Sequence, residues 1–192
     1  MHNGQMANPI DDREGASTLK ELTSTRKKTD SIHHQISDLE FRLGLYWADK
    51  VGVFLPGDNV KAMIWEAAKK TGKGRQMVGV EVLEDECPLV FKNHKNLKAL
   101  QSDPEMRSKV MVSSNGRPGG PKVLRTRPKI PVGWSLTTTL RVDDESLRVS
   151  ELPAILEMGG SVIGLGDWRP SAKKPGKFGT FIVEECEEIK HG

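Results

Sequence analysis

A glycine-rich, basic stretch near the C-terminus holds the side chains of this sequence that are best suited to bind a polyanion. In chain order it contains Gly164-Leu165-Gly166, Asp167-Trp168-Arg169-Pro170, Lys173-Lys174 and Gly176-Lys177-Phe178-Gly179. A tryptophan ring can stack on a nucleobase, arginine and lysine pair with phosphates, and glycine allows close backbone approach. The alternative is that Trp168 packs on a sheet while Asp167 pairs with Arg169 to fix the loop. The residue types alone leave both interpretations open.

A second candidate lies in Arg125-Thr126-Arg127-Pro128. If this segment is extended, Arg125 and Arg127 point to the same side, roughly 6–7 Å apart, which approximates successive phosphates along a single strand. Residues 107–129 contain seven basic side chains and no acidic one, namely Arg107, Lys109, Arg117, Lys122, Arg125, Arg127 and Lys129. Such segregation is typical of a surface that faces a polyanion, although solvated edge charges would give the same pattern.

The Gly-x-Gly motif is in the wrong context for a nucleotide cofactor. A dinucleotide fingerprint places its glycines between a strand and a helix, so that the helix N-terminus meets the phosphates. Here Gly164 and Gly166 follow a predicted helix and lead through Pro170 and Pro175 towards a predicted strand. No Gly-Lys-Ser/Thr sequence follows either, so we expect no cofactor.

Catalytic and metal-binding patterns are weak. His33 and His34 are adjacent and would point about 100° apart on a helix, which makes joint ligation of one metal difficult. Cys87 and Cys186 are isolated, and neither zinc spacing nor a nucleophile elbow occurs. We therefore predict no metal site and no enzyme. The alternative that remains is a metal-independent ribonuclease that uses His33, His34 or a lysine as a general base.

Helical periodicity begins near the N-terminus. Residues 1–15 are predicted to form an irregular polar arm, and the apolar spacing in residues 17–43 predicts two packed helices broken near Thr29. Ser17 and Asp30 are the candidate N-caps. This region is the predicted N-terminal arm and helical extension, residues 1–43.

The rest of the chain, residues 44–192, is predicted to be one RRM-like domain with a basic insertion at 92–130. Its predicted elements are an extended segment or a hairpin at 44–55 around Asp49-Lys50, a helix from Asp58 or Asn59 to Lys70, a strand at 78–82, the clearest strand at 134–142, a short helix capped by Ser150 and closed by Gly159-Gly160, and a last strand at 178–183. The order strand-helix-strand-strand-helix-strand predicts an α+β fold, a ferredoxin-like or RRM-like antiparallel sheet with helices on one face.

Three short motifs also resemble known proteins. Phe54-Leu55-Pro56-Gly57-Asp58, with the basic helix that follows, and the glycine-rich C-terminal stretch resemble segments of the RAMP superfamily, the RRM-like RNA-binding proteins of CRISPR effector complexes. The RTRP and GLGDWRP sequences resemble a group of bacteriophage proteins. The chain differs from a full RAMP subunit in lacking a long thumb, a catalytic histidine and an opening strand at Met1-His2-Asn3. The resemblance implies a glycine-rich loop against a nucleic-acid backbone and side-by-side assembly along a strand.

These observations predict a non-catalytic protein that binds single-stranded RNA or DNA, possessing no cofactor and acting in the cytoplasm of a bacterial host. The expected ionic and stacking contacts are Arg125, Arg127, Lys129, Trp168, Arg169, Lys173, Lys174 and Lys177, with close backbone approach at Gly164, Gly166, Gly176 and Gly179. Partners would be the strand, further copies of the chain, or a CRISPR-like ribonucleoprotein. No membrane is expected, because no window approaches the roughly 18 apolar residues of a span. The alternative is a protein-interaction module that imitates or inhibits a host CRISPR backbone subunit.

Overall fold

The computed structural model describes residues 12–114, 119–143 and 145–189. Within them the helices are α1 (Arg13–Ser24), α2 (Asp30–Gly44), α3 (Gly57–Lys70), α4 (Leu97–Ser102) and α5 (Leu152–Met158). The strands are β1 (Trp47–Ala48), β2 (Gly52–Pro56), β3 (Val80–Val82), β4 (Glu86–Val90), β5 (Arg107–Ser113), β6 (Lys122–Pro128), β7 (Ser135–Leu136) and β8 (Leu140–Val142). The pairs β1–β2, β3–β8 and β5–β6 are antiparallel, so the predicted α+β class is confirmed.

The strands form one four-stranded sheet, in the order β1-β2-β4-β7, and two two-stranded sheets, β3-β8 and β5-β6. The chain divides into two compact units, whose described parts are residues 12–54 with 89–135 and residues 55–88 with 136–189. These units do not follow the predicted division at residue 44. Helices α1 and α2 share the first unit with the predicted basic insertion, because α2 packs on β6.

The first unit begins with the two predicted helices, which pack on each other. Their caps differ from the prediction. The Asp12 side chain accepts a hydrogen bond from the Gly15 N–H at 2.7 Å, so α1 begins inside the predicted arm. Thr29, rather than Asp30, caps α2. The remainder of the arm, residues 1–11, lies outside the described residues.

The basic insertion is more regular than its sequence pattern indicates. It contains α4 and a hairpin formed by β5 and β6. We call this hairpin the basic ribbon. The ribbon runs from the pair Arg107↔Pro128 to the pair Ser113↔Lys122. Alternating β-branched residues favour this pairing, and α2 covers one end of it. Residues 115–118, which include Arg117 and much of the predicted Gly/Pro turn, lie outside the described residues.

The second unit is built on α3. Its inward residues Val60, Met63, Ile64 and Ala67 recur at helical spacing and are buried, as predicted. Helix α5 packs against α3. Helix α3 begins at Gly57, and its N-cap residue, Pro56, provides no side-chain hydrogen bond. The predicted capping by Asp58 or Asn59 is therefore wrong.

The strand predicted at 134–142 is interrupted. β7 ends at Leu136 and β8 begins at Leu140. Between them, the Thr138 hydroxyl donates to Glu84 Oε2 at 2.6 Å and the Thr139 N–H donates to the same oxygen at 2.8 Å. A side-chain carboxylate thus takes the place of a strand partner, which alternation of apolar residues does not reveal.

The C-terminal part also departs from the predicted order. The short helix does not close at Gly159-Gly160, because a π-helical turn continues through Gly159–Ile163. Ser150 lies in a 3-10 turn before α5 instead of capping it. Residues 178–183 are not a strand, and the described residues therefore do not complete the ferredoxin-like order.

Candidate nucleic-acid-binding surfaces

The first candidate surface is a loop folded back on itself, residues 164–179, which we call the Trp168 loop. The Leu165 N–H donates to the Gly179 carbonyl at 2.9 Å, and the Phe178 N–H donates to the Trp168 carbonyl at 3.1 Å. These bonds join the two ends of the loop without forming a strand ladder. Because the backbone is tied at both places, its side chains are presented from a defined scaffold.

The glycines of the Trp168 loop are required by the loop's own packing. Positive φ angles occur at Gly164 (77°), Gly166 (74°) and Gly179 (72°). A Cβ at Gly179 would overlap the backbone of Leu165, and one at Gly176 would overlap the carbonyl oxygen and ring of Trp168. These close contacts are made within the chain, and the predicted approach of a nucleic-acid backbone at the same glycines stays a prediction.

Arg169 also acts inside the loop. Its Nε donates to Ser171 Oγ at 3.0 Å, and its Nη1 donates to the Gly166 carbonyl at 3.3 Å. Its Nη2 lies 3.4 Å from a carboxylate oxygen of Glu66 on α3. These three contacts hold the turn around Trp168, so the guanidinium that was predicted to bind phosphate is engaged in positioning the loop.

Trp168 is both packed and exposed. One edge of its ring meets Phe178 in a T-shaped contact with centroids 5.0 Å apart, while 51% of the residue remains exposed. Its φ is 53°, in the left-handed region that bulky residues rarely adopt. Strain of this kind persists only where the surroundings impose it, and it is concentrated at functional sites. The ring therefore packs on Phe178, which is not part of a strand, so the predicted packing on a sheet is not observed, and stacking on a base stays a prediction.

Three lysines lie in the same loop as this ring. Lys173, Lys174 and Lys177 are all exposed. They follow Trp168 within the same tied loop, in a stretch from Arg169 to Lys177 that contains no acidic residue. A partly exposed aromatic ring and exposed ammonium groups in one loop can stack on a base and neutralise phosphates.

The second candidate surface is the basic ribbon, and here Arg125 has a structural partner. Its Nη1 donates to Glu40 Oε1 at 2.5 Å, and the Thr126 N–H donates to Glu40 Oε2 at 2.7 Å. Glu40 lies on α2 with its side chain only 1% exposed. No sequence pattern indicates this buried pair, because Glu40 lies among the polar residues of an ordinary amphipathic helix.

The other cations of the ribbon are divided between structural and solvent-facing positions. Arg107 donates to Asp38 Oδ1 at 2.6 Å and to the Gln101 carbonyl at 2.6 Å. Arg127 lies two residues after Arg125 on β6, as predicted, and is half-buried. The exposed cations are Lys109, Lys122 and Lys129.

A cavity of about 200 Å³ beside the start of α3 has the opposite charge. Its lining includes one cation, Lys61, and four carboxylates, those of Asp58, Glu81, Glu84 and Asp85, so it is anionic in balance. Although partial burial raises the pKa of Glu84, the hydrogen bonds from Thr138 and Thr139 outweigh it and hold that pKa below its ordinary value. An anionic lining repels a nucleic-acid backbone, so this cavity is not part of the candidate surfaces.

Other chemistry has little structural support. His33 and His34 are exposed on α2, whereas His94 Nδ1 lies 2.8 Å from the Phe91 carbonyl. Burial raises the pKa of the Cys87 thiol; the Thr138 hydrogen bond lowers it, and the Glu84 charge raises it. Within residues 12–114, 119–143 and 145–189, no three His, Cys, Asp or Glu side chains are grouped closely enough to hold a metal ion.

Among the residues that the structure describes, no helix has both the length and the apolar character needed to cross a bilayer. Comparison with known proteins gives no relative, since no protein-family profile, curated protein or solved structure matches the chain.

Proposed function

We propose that this chain is a non-enzymatic protein that binds single-stranded nucleic acid through its phosphates and bases. The observation that carries the proposal is a loop tied at both ends that contains both the half-exposed, backbone-strained Trp168 and three exposed lysines. A single strand offers unpaired bases to such a ring and closely spaced phosphates to the lysines.

The predicted contact residues have two different roles, because some would bind the strand and others hold the surfaces in shape. In the Trp168 loop, Lys173, Lys174 and Lys177 make the ionic contacts and Trp168 stacks, while Arg169 and the glycines hold the loop in shape. In the basic ribbon, Lys129 and Arg127 contribute charge, and Arg125 positions β6 through Glu40. Most ionic contacts with the strand thus come from exposed lysines, because the guanidinium groups of Arg125 and Arg169 already donate hydrogen bonds within the chain.

The resemblance to RAMP proteins extends the proposal to side-by-side assembly of copies along the strand, in the cytoplasm of a bacterial host. An RRM-like sheet platform is not required, because the proposed contacts come from a loop and a ribbon. RNA and single-stranded DNA share the backbone charge and base faces on which the proposal rests.

Fluorescence anisotropy with labelled 20-nucleotide strands of RNA and DNA tests the proposal. We expect binding at low salt, and Trp168→Ala should weaken it about 5- to 150-fold, since stacking contributes about 1–3 kcal/mol per base. Trp65→Ala is the matched control, because Trp65 is also exposed, on α3 outside the loop. Absence of binding, or equal losses in both variants, contradicts the proposal.

Two further observations distinguish the alternatives. Metal-free cleavage of the labelled RNA that is lost in His33→Ala or His34→Ala would replace binding with ribonuclease activity. A protein partner that is recovered from host lysate after nuclease treatment, without strand binding by the purified chain, would favour the protein-interaction module.

A further inference from the structure

The basic ribbon has a face that α2 covers at only one end. Directly opposite residues of an antiparallel pair share a face. On this face the opposite pairs are Arg107 with Pro128, Lys109 with Thr126, Met111 with Leu124, and Ser113 with Lys122. The face therefore carries positive side chains on both sides of one apolar pair.

Helix α2 contacts this face at the end that contains Arg107 and Thr126. The hydroxyls of Thr126 and Ser37 are 2.9 Å apart, and the Arg107 guanidinium lies 5.1 Å from the centroid of the Phe41 ring. Helix α2 thus closes the first part of the face with polar and cation–π contacts.

The apolar pair beyond that end is open. Met111 is 59% exposed and Leu124 is 55% exposed, although both are large and sit opposite each other. Two such side chains together form a contiguous apolar spot. Burial of this spot against a partner is favourable, because it removes apolar surface from water.

The charge around this spot indicates what the partner is. Lys109 precedes Met111 by two residues and Lys122 precedes Leu124 by two, so each lysine lies about 7 Å from the pair, at opposite ends. Both lysines are exposed, and residues 107–129 contain no acid. An apolar spot between two cations complements a chain in which flat apolar groups alternate with anions.

We propose that Met111 and Leu124 contact bases of a bound single strand, while Lys109 and Lys122 neutralise phosphates on either side. This inference rests on the proposed function and assigns it a second base-contacting site, in the basic ribbon. In a duplex the base faces are stacked and hidden, so the apolar pair favours the single-stranded form.

The test compares Met111→Thr/Leu124→Thr with Lys109→Ala/Lys122→Ala in anisotropy titrations over a range of salt. Threonine keeps strand propensity at these exposed positions. The apolar variant should weaken binding roughly tenfold at every salt concentration without changing the slope of log K against log [salt]. The lysine variant should reduce that slope by about 1.4, or about 0.7 for each contact.

An abasic strand of the same length distinguishes base contact from backbone contact. Wild type should lose affinity on the abasic strand, and the apolar variant should lose about tenfold less. Val132→Thr, at a fully exposed apolar position outside the ribbon, is the control and should behave as wild type.

Wild type that fails to bind any strand overturns the proposed function together with this inference. Wild-type binding that Met111→Thr/Leu124→Thr leaves unchanged overturns the inference alone. Two other results would also overturn the inference alone: a duplex that binds wild type as tightly as the single strand does, or a loss of affinity in Val132→Thr equal to that of the apolar variant. So would a change of oligomeric state in the apolar variant, measured by light scattering, at unchanged affinity for the strand. That result would assign the face to a second copy of the chain.

Discussion

The ion pair between Glu40 and Arg125 should be the most consequential polar contact of the first unit. Glu40→Met removes the acceptor of a buried backbone N–H, that of Thr126, and leaves the Arg125 guanidinium unpaired. An unsatisfied buried donor costs about 1–3 kcal/mol, and loss of one partner of a buried pair costs about 3–5 kcal/mol. Because the Arg125 side chain is 33% exposed and can be rehydrated, we expect a total loss near 3 kcal/mol.

The complementary variant isolates the pair. Arg125→Met leaves the Glu40 carboxylate buried with one backbone donor, and we again expect a loss of about 3 kcal/mol. The double variant removes both charges and leaves only the Thr126 N–H unsatisfied, so its loss should also be about 3 kcal/mol at most. The resulting coupling energy is about 3 kcal/mol.

Urea unfolding followed by circular dichroism measures these free energies, since urea, unlike guanidinium chloride, does not screen the ion pair. The midpoints should shift while the m-value stays constant. Additive losses, with a coupling energy below about 0.5 kcal/mol, would refute the buried-pair reasoning. The result also bears on binding, because substitutions at Arg125 alter the ribbon's stability as well as its charge.

Three further outcomes follow from local geometry. Gly179→Ala should lose about 3 kcal/mol and Gly72→Ala only about 1 kcal/mol in urea unfolding, because both have positive φ but only the first Cβ meets backbone; equal losses would contradict this. Of the two thiols, exposed Cys186 should react rapidly with a disulfide reagent at neutral pH, whereas Cys87 should react only on unfolding, and two fast equivalents would oppose this expectation. Glu84→Gln should cost about 1 kcal/mol or less above pH 4.5, and the difference from wild type should shrink as pH falls through the lowered folded pKa; a constant difference in acid would contradict the sign.

The elements with strong periodicity could be predicted from the sequence. Helix α3 has an apolar face at helical spacing, and the β1–β2 hairpin surrounds the expected turn at Asp49-Lys50. The break between α1 and α2 was also predicted near Thr29. In these cases local pattern and tertiary packing agree, so the sequence contains the necessary information.

The failures occur where a distant group decides the local structure. Glu84 takes the hydrogen bonds of Thr138 and Thr139 and interrupts an alternating strand. Gly179, at positive φ against Leu165, prevents the expected last strand from forming a ladder. Periodicity reports which face is apolar, and it carries no information about such single contacts.

The residue types of the candidate site could be predicted from the sequence. Which of its basic side chains face solvent and which make structural hydrogen bonds could not. The lysines of the Trp168 loop are exposed, as a polyanion-binding surface requires. Arg125 and Arg169, chosen for the same charge, instead hold Glu40 and the loop carbonyl of Gly166. Whether a basic side chain donates hydrogen bonds within the folded chain depends on acceptors such as Glu40, which lies far from Arg125 in the sequence.

One measurement tests the central claim most directly, namely the slope of log K against log [salt] for a labelled single strand. We compare wild type with Lys173→Ala/Lys174→Ala/Lys177→Ala and, as a control for net charge, Lys20→Ala/Lys50→Ala/Lys92→Ala, which replaces exposed lysines outside the two surfaces. The loop variant should bind more weakly, with a slope smaller by about 2, while the control keeps the wild-type slope. Identical slopes in the wild type and the loop variant would contradict the claim that this loop binds nucleic acid.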